Sequence, residues 1–284
     1  MDTAENRKDL SDGYLLKADS LTVKRSDALL LDGVSLHVAA GELVGVIGPN
    51  GAGKSTLLSM LAGLERPQKG QILLEGLPIG QFNDKERAQR IGWLEQFAAA
   101  HWPVSVEHLV ALGRLPFLSS WNSLTDRDHQ IVTQAMQATD CLTLSKQRVD
   151  TLSGGELTRV MLARVLASEP ALILADEPVA ALDISHQLQT MQLLREFSSM
   201  QSACAVVLHD LTLANHYCDR LYLLDGGRCV AAGSPQEVLT EDNMREVYGV
   251  ELSSSRVDSL IESVASGNPQ GVSALAPVFQ PVKK

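Results

Sequence analysis

Nine consecutive residues near the start of the chain have the side chains and the spacing needed to hold a run of phosphate groups. They read Gly48-Pro49-Asn50-Gly51-Ala52-Gly53-Lys54-Ser55-Thr56 and fit the pattern G-x-x-x-x-G-K-[ST] in every required position. The glycines allow backbone N–H groups to approach an anion closely. Lys54 can reach the β- and γ-phosphates, and the hydroxyl group of Ser55 can bind Mg²⁺. This stretch therefore predicts a nucleoside triphosphate site, without saying what the nucleotide drives.

Two adjacent carboxylates can complete this chemistry. Asp176 and Glu177 come directly after the apolar run 171–175, which is typical of a buried parallel strand. Ligands bind at the carboxyl ends of such strands, where Asp176 can hold Mg²⁺ through water and Glu177 can orient or deprotonate the attacking water. An acidic pair at a strand end is also a common structural feature, but its occurrence together with the phosphate loop favours the catalytic interpretation.

A second glycine-containing helix start follows later in the chain. The residues Leu152-Ser153-Gly154-Gly155-Glu156 precede a helical run over 157–167. A helix that begins with two glycines can bind an anion at its N-terminus. Ser153 and Glu156 also form the sequence pattern of a capping box, which has a purely structural role. The residues alone leave both interpretations open.

The apolar pattern around these residues predicts an α/β fold. A strand at 43–47 leads into the phosphate loop, and a helix at 55–63 leaves it. Strands at 171–175 and 204–208 are uniformly apolar, which favours a parallel sheet covered on both faces. Other strands are expected at 14–23, 34–38, 71–76, 91–96, 221–224 and 229–232, with a short apolar run at 28–31. The last two strands flank Asp225-Gly226-Gly227, which indicates a hairpin at an antiparallel edge.

Strands are missing from the pattern between about residues 97 and 151. Helices are expected there at 104–112 and 126–138, and the second begins with a capping box of Thr125 and Asp128. Two further helices are expected, at 85–90 and 185–199. The sequence therefore predicts a P-loop NTPase core with a mostly parallel sheet, an antiparallel β subdomain and an inserted helical subdomain.

Composition limits the partners that the protein can have. The 284 residues carry a formal net charge of −10, which argues against broad electrostatic binding to nucleic acid. No run approaches the roughly 18 apolar residues that a membrane-spanning helix needs, and the N-terminus lacks a signal pattern. The four cysteines form no C-x-x-C pair, which favours reduced, packed thiols in a cytosolic protein.

The order of six motifs in this chain resembles that of the ATP-binding-cassette (ABC) proteins. The motifs are GPNGAGKST, Gln96, LSGGE, LILADEP, Ala180-Ala181-Leu182-Asp183 and His209. The resemblance implies an ABC ATPase domain over residues 14–251, with a helical subdomain at about 97–151 and a C-terminal tail at 252–284.

The resemblance also implies a role for each matching residue. Residues 48–56 would bind ATP, with Ser55, Gln96 and Asp176 around Mg²⁺. Glu177 would be the catalytic base, Gln96 would lie near the attacking water and His209 would touch the γ-phosphate. A lone histidine at a strand end is otherwise more often structural. Four residues of the second helix start and one of the Ala180 motif would belong to the nucleotide site of a head-to-tail dimer, namely Ser153, Gly154, Gly155, Glu156 and Asp183.

Two softer resemblances point to a transport system. The stretches 106–117 and 244–250 are similar to those of cassettes that power importers of iron–siderophore complexes, haem and cobalamin. This implies a transmembrane permease as partner, an external substrate-binding protein acting through it, and a peripheral position on the cytoplasmic face of the inner membrane. Either stretch is also compatible with an ordinary amphipathic or surface helix.

Three positions depart from the family pattern. No aromatic residue for stacking on adenine occurs between Leu21 and Val34, where Arg25 offers a guanidinium group instead. Ala180 cannot donate a side-chain hydrogen bond, and Glu95 precedes Gln96 where a proline is frequent.

Three other functions compete with the importer. A soluble cassette acting on nucleic acid or ribosomes usually has two cassettes or a long coiled coil. A non-catalytic regulatory cassette is disfavoured by Glu177 and His209. A switch GTPase is disfavoured because the chain has no N-K-x-D motif.

Overall fold

The protein is described by a computed structural model that covers residues 13–25, 28–96, 103–118, 123–199, 201–252 and 279–281. In those residues a six-stranded sheet lies at the centre, with a four-stranded antiparallel sheet on one face and a group of helices on the other. This architecture confirms the P-loop α/β fold that the sequence predicts.

The six-stranded sheet is mostly parallel. Its strands in chain order are β3 (Leu43–Ile47), β6 (Ile91–Leu94), β7 (Leu172–Asp176), β8 (Ala203–Val207), β9 (Arg220–Asp225) and β10 (Arg228–Gly233). They lie side by side in the order β10-β9-β3-β8-β7-β6, and only β10 runs antiparallel to its neighbour. Strands β3, β7 and β8 are buried at every position, because both faces of the sheet are covered.

The antiparallel sheet has the order β2-β1-β4-β5. Its strands are β1 (Tyr14–Arg25), β2 (Ala28–Ala39), β4 (Lys69–Leu74) and β5 (Leu77–Pro78). The apolar run at 28–31 and the strand expected at 34–38 are one continuous strand. Gly33 joins them with a left-handed backbone (φ 69°), and the register with β1 shifts on either side of it.

The described helices cover the sheet and connect its strands. The α-helices are α1 (Lys54–Leu61), α2 (Asp84–Ala88), α3 (Val106–Ala111), α4 (Asp126–Ala138), α5 (Gly154–Ala167), α6 (Ile184–Phe197), α7 (Leu211–Tyr217), α8 (Pro235–Val238) and α9 (Glu241–Asn243). Single 3₁₀ turns and one π-helical turn, Met244–Tyr248, complete the set. None of the helices in the described ranges has the length and apolar character needed to cross a lipid bilayer.

The segment between β6 and β7 is helical where it is described, as expected. Helix α4 begins with the predicted capping box of Thr125 and Asp128. Helix α3 starts later than the expected span 104–112, because Ser105 is its N-cap and accepts a hydrogen bond from the N–H group of His108, while the carbonyl oxygen of Val104 accepts one from Val149. A 3₁₀ segment, Leu112–Phe117, follows α3 directly. The part of the inserted segment at 97–102 lies outside the described residues.

Three smaller predictions concern the hairpin near residue 226, the C-terminal tail and the cysteines. The hairpin between β9 and β10 turns at Gly226 and Gly227, which both have positive φ. Strand β11 (Val250–Leu252) pairs with β12 (Phe279–Pro281), so part of the expected tail returns to the end of the cassette. All four cysteines are free thiols, and burial raises the pKa of Cys204 and Cys218 to about 12.

Candidate active site

The phosphate loop joins the buried end of β3 to the N-terminus of α1. Gly53 occupies the N-cap position of α1 with a left-handed backbone (φ 95°) and provides no capping side chain. The N–H groups of the first turn of α1 therefore have no side-chain acceptor at the cap and point into the loop. This arrangement places several backbone donors and the positive end of a helix at one anion-binding point.

Neighbouring backbone atoms leave no room for a side chain at two glycines of the loop. A Cβ atom on Gly48 would lie 2.1 Å from the carbonyl oxygen of Leu224, and Gly48 has φ 145°. A Cβ atom on Gly53 would lie 2.6 Å from the carbonyl oxygen of Leu30. These carbonyl groups belong to β9 and β2. The sequence did not predict either contact, because the position of a backbone carbonyl oxygen cannot be inferred from residue type.

Lys54 lies inside the loop rather than on the surface. Its ammonium group donates hydrogen bonds to the carbonyl oxygens of Gly48 (2.8 Å) and Pro49 (2.9 Å), and the residue is buried. Burial lowers the pKa of Lys54, while the nearby carboxylates of Glu177 and Asp176 act to raise it. The loop therefore holds a cation close to the acidic pair that the sequence predicts for catalysis.

Asp176 is the last residue of β7 and is buried. Burial raises the pKa of its carboxyl group, and the neighbouring side chain of Ser55 acts to lower that pKa. Its Oδ1 atom is buried and has no hydrogen-bond partner among the described residues. A buried carboxylate oxygen without a donor needs a cation or water, and Mg²⁺ takes oxygen ligands of this kind. The pair of Ser55 and Asp176 thus fits a magnesium ion.

Glu177 directs its carboxylate toward a histidine from the neighbouring strand. Its Oε1 atom shares a hydrogen bond with Nε2 of His209, which follows the end of β8. Glu177 has a positive φ of 50°, an uncommon conformation for a residue with a side chain. The two residues assigned to catalysis from the sequence are therefore in contact, although they stand 32 positions apart in the chain.

Gln96 lines the same cavity as Glu177. The cavity has a volume of about 250 Å³ and is lined by residues that include Gln96, Glu177 and Gly154. Gln96 follows β6, which pairs with β7, so the two strand ends bring its amide to the level of Glu177. The structure therefore places Lys54, Ser55, Gln96, Asp176, Glu177 and His209 at one edge of the sheet.

The second helix start has the capping structure that its sequence allows. Ser153 Oγ accepts a hydrogen bond from the N–H of Glu156 (3.3 Å), and Glu156 accepts one from the N–H of Ser153 (2.8 Å). Asp183 caps α6 and accepts a hydrogen bond from the N–H of His186 (2.9 Å). Among the described contacts, no hydrogen bond or ion pair joins Ser153, Glu156 or Asp183 to the phosphate loop.

Arg25 has a partner of its own. One nitrogen of its guanidinium group, Nη2, donates to both carboxylate oxygens of Glu65, at 3.0 and 3.1 Å. This exposed ion pair joins the end of β1 to the turn that follows α1.

Comparison with known sequences adds the family. The family profile described as ABC transporter matches residues 31–180. The hemin import ATP-binding protein HmuV of Pseudomonas fluorescens (strain Pf0-1) is 43% identical over 243 residues, which cover 84% of this chain and 94% of that protein. The ferric enterobactin transport ATP-binding protein FepC of Escherichia coli (strain K12) is 38% identical over 255 residues, which cover 89% of this chain and 92% of that protein.

Comparison with solved structures gives the same fold. CbiO1 from Clostridium perfringens, part of the ABC transporter complex CbiONQ, matches with a TM-score of 0.71 and 28% identity, over 88% of this chain and 100% of that one. A dimeric bacterial ABC transporter cassette matches with a TM-score of 0.69 and 26% identity, over 78% and 98% of the two chains. The motifs, the fold and these matches agree, and the chain belongs to the ABC transporter family as an ATP-binding ATPase.

Proposed function

We propose that this chain is the ATP-hydrolysing subunit of an importer whose substrate is an iron–siderophore complex, haem or a cobalamin-type compound. The observation that carries the proposal is the match to relatives named for hemin import and ferric enterobactin transport over nearly their whole length. The six site residues at one sheet edge supply the chemistry that such a subunit needs.

The phosphate loop of residues 48–56 binds the triphosphate of ATP. Its backbone donors and Lys54 hold the phosphate oxygens. Ser55, Asp176 and Gln96 hold Mg²⁺, which when bound neutralises charge on the phosphates. The buried, donor-free Oδ1 of Asp176 supports this assignment.

Glu177 orients the attacking water and accepts its proton, and His209 positions the Glu177 carboxylate and touches the γ-phosphate. Their hydrogen bond supports the pairing. The strained backbone of Glu177 is the kind of conformation that concentrates at functional sites.

A second copy of the chain completes each site. Ser153, Gly154, Gly155, Glu156 and Asp183 of one copy face the γ-phosphate held by the other, in a head-to-tail dimer. This assignment gives the second helix start an anion partner that its own chain does not provide among the described contacts. A related cassette that is dimeric supports the pairing of two copies.

The remaining partners belong to the transport system. They are a transmembrane permease, bound directly, and an external substrate-binding protein that acts through the permease, with the cassette peripheral on the cytoplasmic face of the inner membrane. Residues 14–251 form the ATPase domain, with the helical subdomain at about 97–151, and residues 252–284 form a C-terminal tail.

The proposal is tested by purifying the tagged chain from membranes in mild detergent and identifying the proteins that come with it. We expect a polytopic permease, and uptake of an iron chelate, haem or cobalamin into vesicles that contain the complex. Lys54→Ala serves as the control that retains the permease but loses ATP-driven uptake. If an active ATPase brought down only soluble partners or nucleic acid, the importer assignment would be wrong.

A further inference from the structure

The loop that connects the end of β7 to helix α6 has five consecutive residues without a polar side chain. After Glu177 it reads Pro178-Val179-Ala180-Ala181-Leu182, and the proline also lacks a backbone N–H group. The loop turns twice. The N–H of Ala180 donates to the carbonyl oxygen of Glu177 (3.2 Å), and the N–H of Leu182 donates to that of Val179 (3.2 Å). A side chain that fixes these turns by hydrogen bonds must therefore come from outside the loop.

The side chain of Gln187 reaches back to this loop from the first half of α6. Its Nε2 atom donates hydrogen bonds to the carbonyl oxygens of Val179 (3.3 Å) and Leu182 (3.1 Å). Both of these loop residues are buried, and Gln187 itself is half-buried. One amide group therefore closes the turn that runs from Val179 to Leu182.

This loop lies between two parts of the proposed site. At its start, Glu177 has a φ of 50°, and a residue in such a conformation stays there only where the surrounding structure fixes it. Further along, the loop packs against the start of α5. A Cβ atom on Gly155 would lie 3.4 Å from the carbonyl oxygen of Ala181 and 3.6 Å from Cδ2 of Leu182. A shift of the loop would therefore change the direction of the Glu177 carboxylate and its distance from the second helix start.

We propose that Gln187 is a positioning residue for Glu177. Its amide fixes the turn at 179–182, and this turn keeps the backbone of Glu177 in the conformation that directs its carboxylate toward His209. Among the described residues, no hydrogen bond joins Gln187 to the phosphate loop at 48–56, so replacing Gln187 leaves the contacts of that loop in place. The inference rests on the proposed role of Glu177 as the catalytic base.

The test compares Gln187→Met with Gln192→Met. Gln192 is the matched control, because it also lies on α6 and its amide also donates a hydrogen bond, but it is exposed and its partner is Glu196 (2.8 Å). A second variant, Gln187→Glu, keeps the length of the side chain and presents an acceptor where the amide donor was. The readouts are kcat and KM for ATP turnover, the Kd of ATP by equilibrium titration, and amide hydrogen exchange, all measured below the Tm of every variant.

We expect Gln187→Met to lower kcat by about 5- to 20-fold, because a small displacement of a catalytic group slows the chemical step. The KM and the Kd for ATP should change by less than about twofold, since the phosphate loop keeps its contacts. Gln187→Glu should lower kcat at least as much, because a carboxylate cannot donate to the two carbonyl oxygens. Peptides spanning residues 177–183 should exchange faster in both variants, and Gln192→Met should match the wild type in every readout.

Wild-type kcat in both Gln187→Met and Gln187→Glu would overturn the inference. An equal loss in Gln192→Met, or a rise in Kd as large as the fall in kcat, would overturn it too, because either result would indicate a general disturbance of the protein. Glu177→Gln, measured alongside, separates this inference from the proposed function. If Glu177→Gln kept its turnover, the catalytic assignment itself would fail, whereas an inactive Glu177→Gln with fully active Gln187 variants would remove only the role of Gln187.

Discussion

At the scale of single residues, Asp176 and Glu177 are adjacent in sequence but lie in different surroundings. Asp176 is buried at the end of β7, and one of its carboxylate oxygens has no hydrogen-bond partner among the described residues. Glu177 shares its hydrogen bond with His209. Two carboxylates in unlike environments can take different roles in one reaction, and we propose metal binding for Asp176 and proton acceptance for Glu177.

Replacing Asp176 tests the metal role. We expect Asp176→Asn to raise the Mg²⁺ concentration needed for half-maximal ATP turnover by about 10- to 100-fold, because the amide removes the charge that holds the ion through water. Binding of ATP measured in the presence of a chelator should be unchanged. Asp126→Asn, at an exposed position in the first turn of α4, is the control. An unaltered Mg²⁺ requirement in Asp176→Asn would show that the ion binds elsewhere.

At the scale of elements, Arg114 joins helix α4 to the C-terminal end of α5. Its guanidinium group binds Asp128 of α4 (2.8 Å), the carbonyl oxygen of Ala167 at the end of α5 (2.9 Å) and Glu169 (2.9 Å). The ring of Phe117 lies 4.2 Å from the guanidinium carbon. Arg114 is buried, so its charge is held entirely by these contacts.

Replacing Arg114 should destabilise the protein. We expect Arg114→Met to lower the free energy of unfolding by about 3–5 kcal/mol, because Asp128 would remain buried without its cation. Arg127→Met, at an exposed position in α4, is expected to change the free energy of unfolding by less than about 0.5 kcal/mol. Denaturant unfolding of both variants gives the comparison. Equal free energies of unfolding for the two variants would contradict the stabilising role of the Arg114 contacts.

The hydrogen bonds to Asp128 predict how the stability of the protein changes with pH. Hydrogen bonds from Thr125, followed by that from Arg114, lower the pKa of Asp128 to about 2 in the folded chain, against about 3.9 when unfolded. Its contribution is therefore complete above about pH 4 and is lost as the pH falls toward 2. The stability difference between the wild type and Asp128→Asn should shrink over that interval. A difference that stayed constant on acidification would contradict this assignment.

Local elements could be predicted from the sequence because they depend on neighbouring residues. The phosphate loop, the apolar strand before Asp176 and the capping box of Thr125 belong to this class. The expected start of α3 at residue 104 was wrong, although the N-cap residue Ser105 is a local signal that marks the true start. The close approach of the Leu224 carbonyl oxygen to Gly48 could not be predicted either, because nothing in either residue type indicates it.

At the scale of the whole molecule, we propose that one chain carries two halves of a nucleotide site, each of which is completed by a second copy of the chain. The catalytic group around Lys54 and Glu177 lies at the edge of the sheet. Ser153 and Glu156 bond to each other at the start of α5, and no described hydrogen bond connects them to the phosphate loop. A head-to-tail pair of chains would bring each helix start to the loop of the other copy.

Mixing two defective chains tests this arrangement. Lys54→Ala disables the loop, and Gly155→Asp places a negative charge where the γ-phosphate should lie. We expect each variant alone to be inactive and their mixed dimers to regain ATP turnover, because one of the two sites then has both halves intact. A mixture of Lys54→Ala with Glu177→Gln should not recover, since each site would contain one of these defects. Inactive mixed dimers of the first pair would mean that loop and helix start act within one chain.

The central claim is that Glu177 activates water for hydrolysis of ATP bound at residues 48–56. Single-turnover hydrolysis by Glu177→Gln, measured with ATP binding on the same sample, tests it most directly. We predict unchanged ATP affinity and a rate of hydrolysis lowered by about 10²- to 10⁴-fold, the usual contribution of a general base. Glu196→Gln, on the exposed side of α6, should behave like the wild type. Hydrolysis by Glu177→Gln at the wild-type rate would contradict the claim.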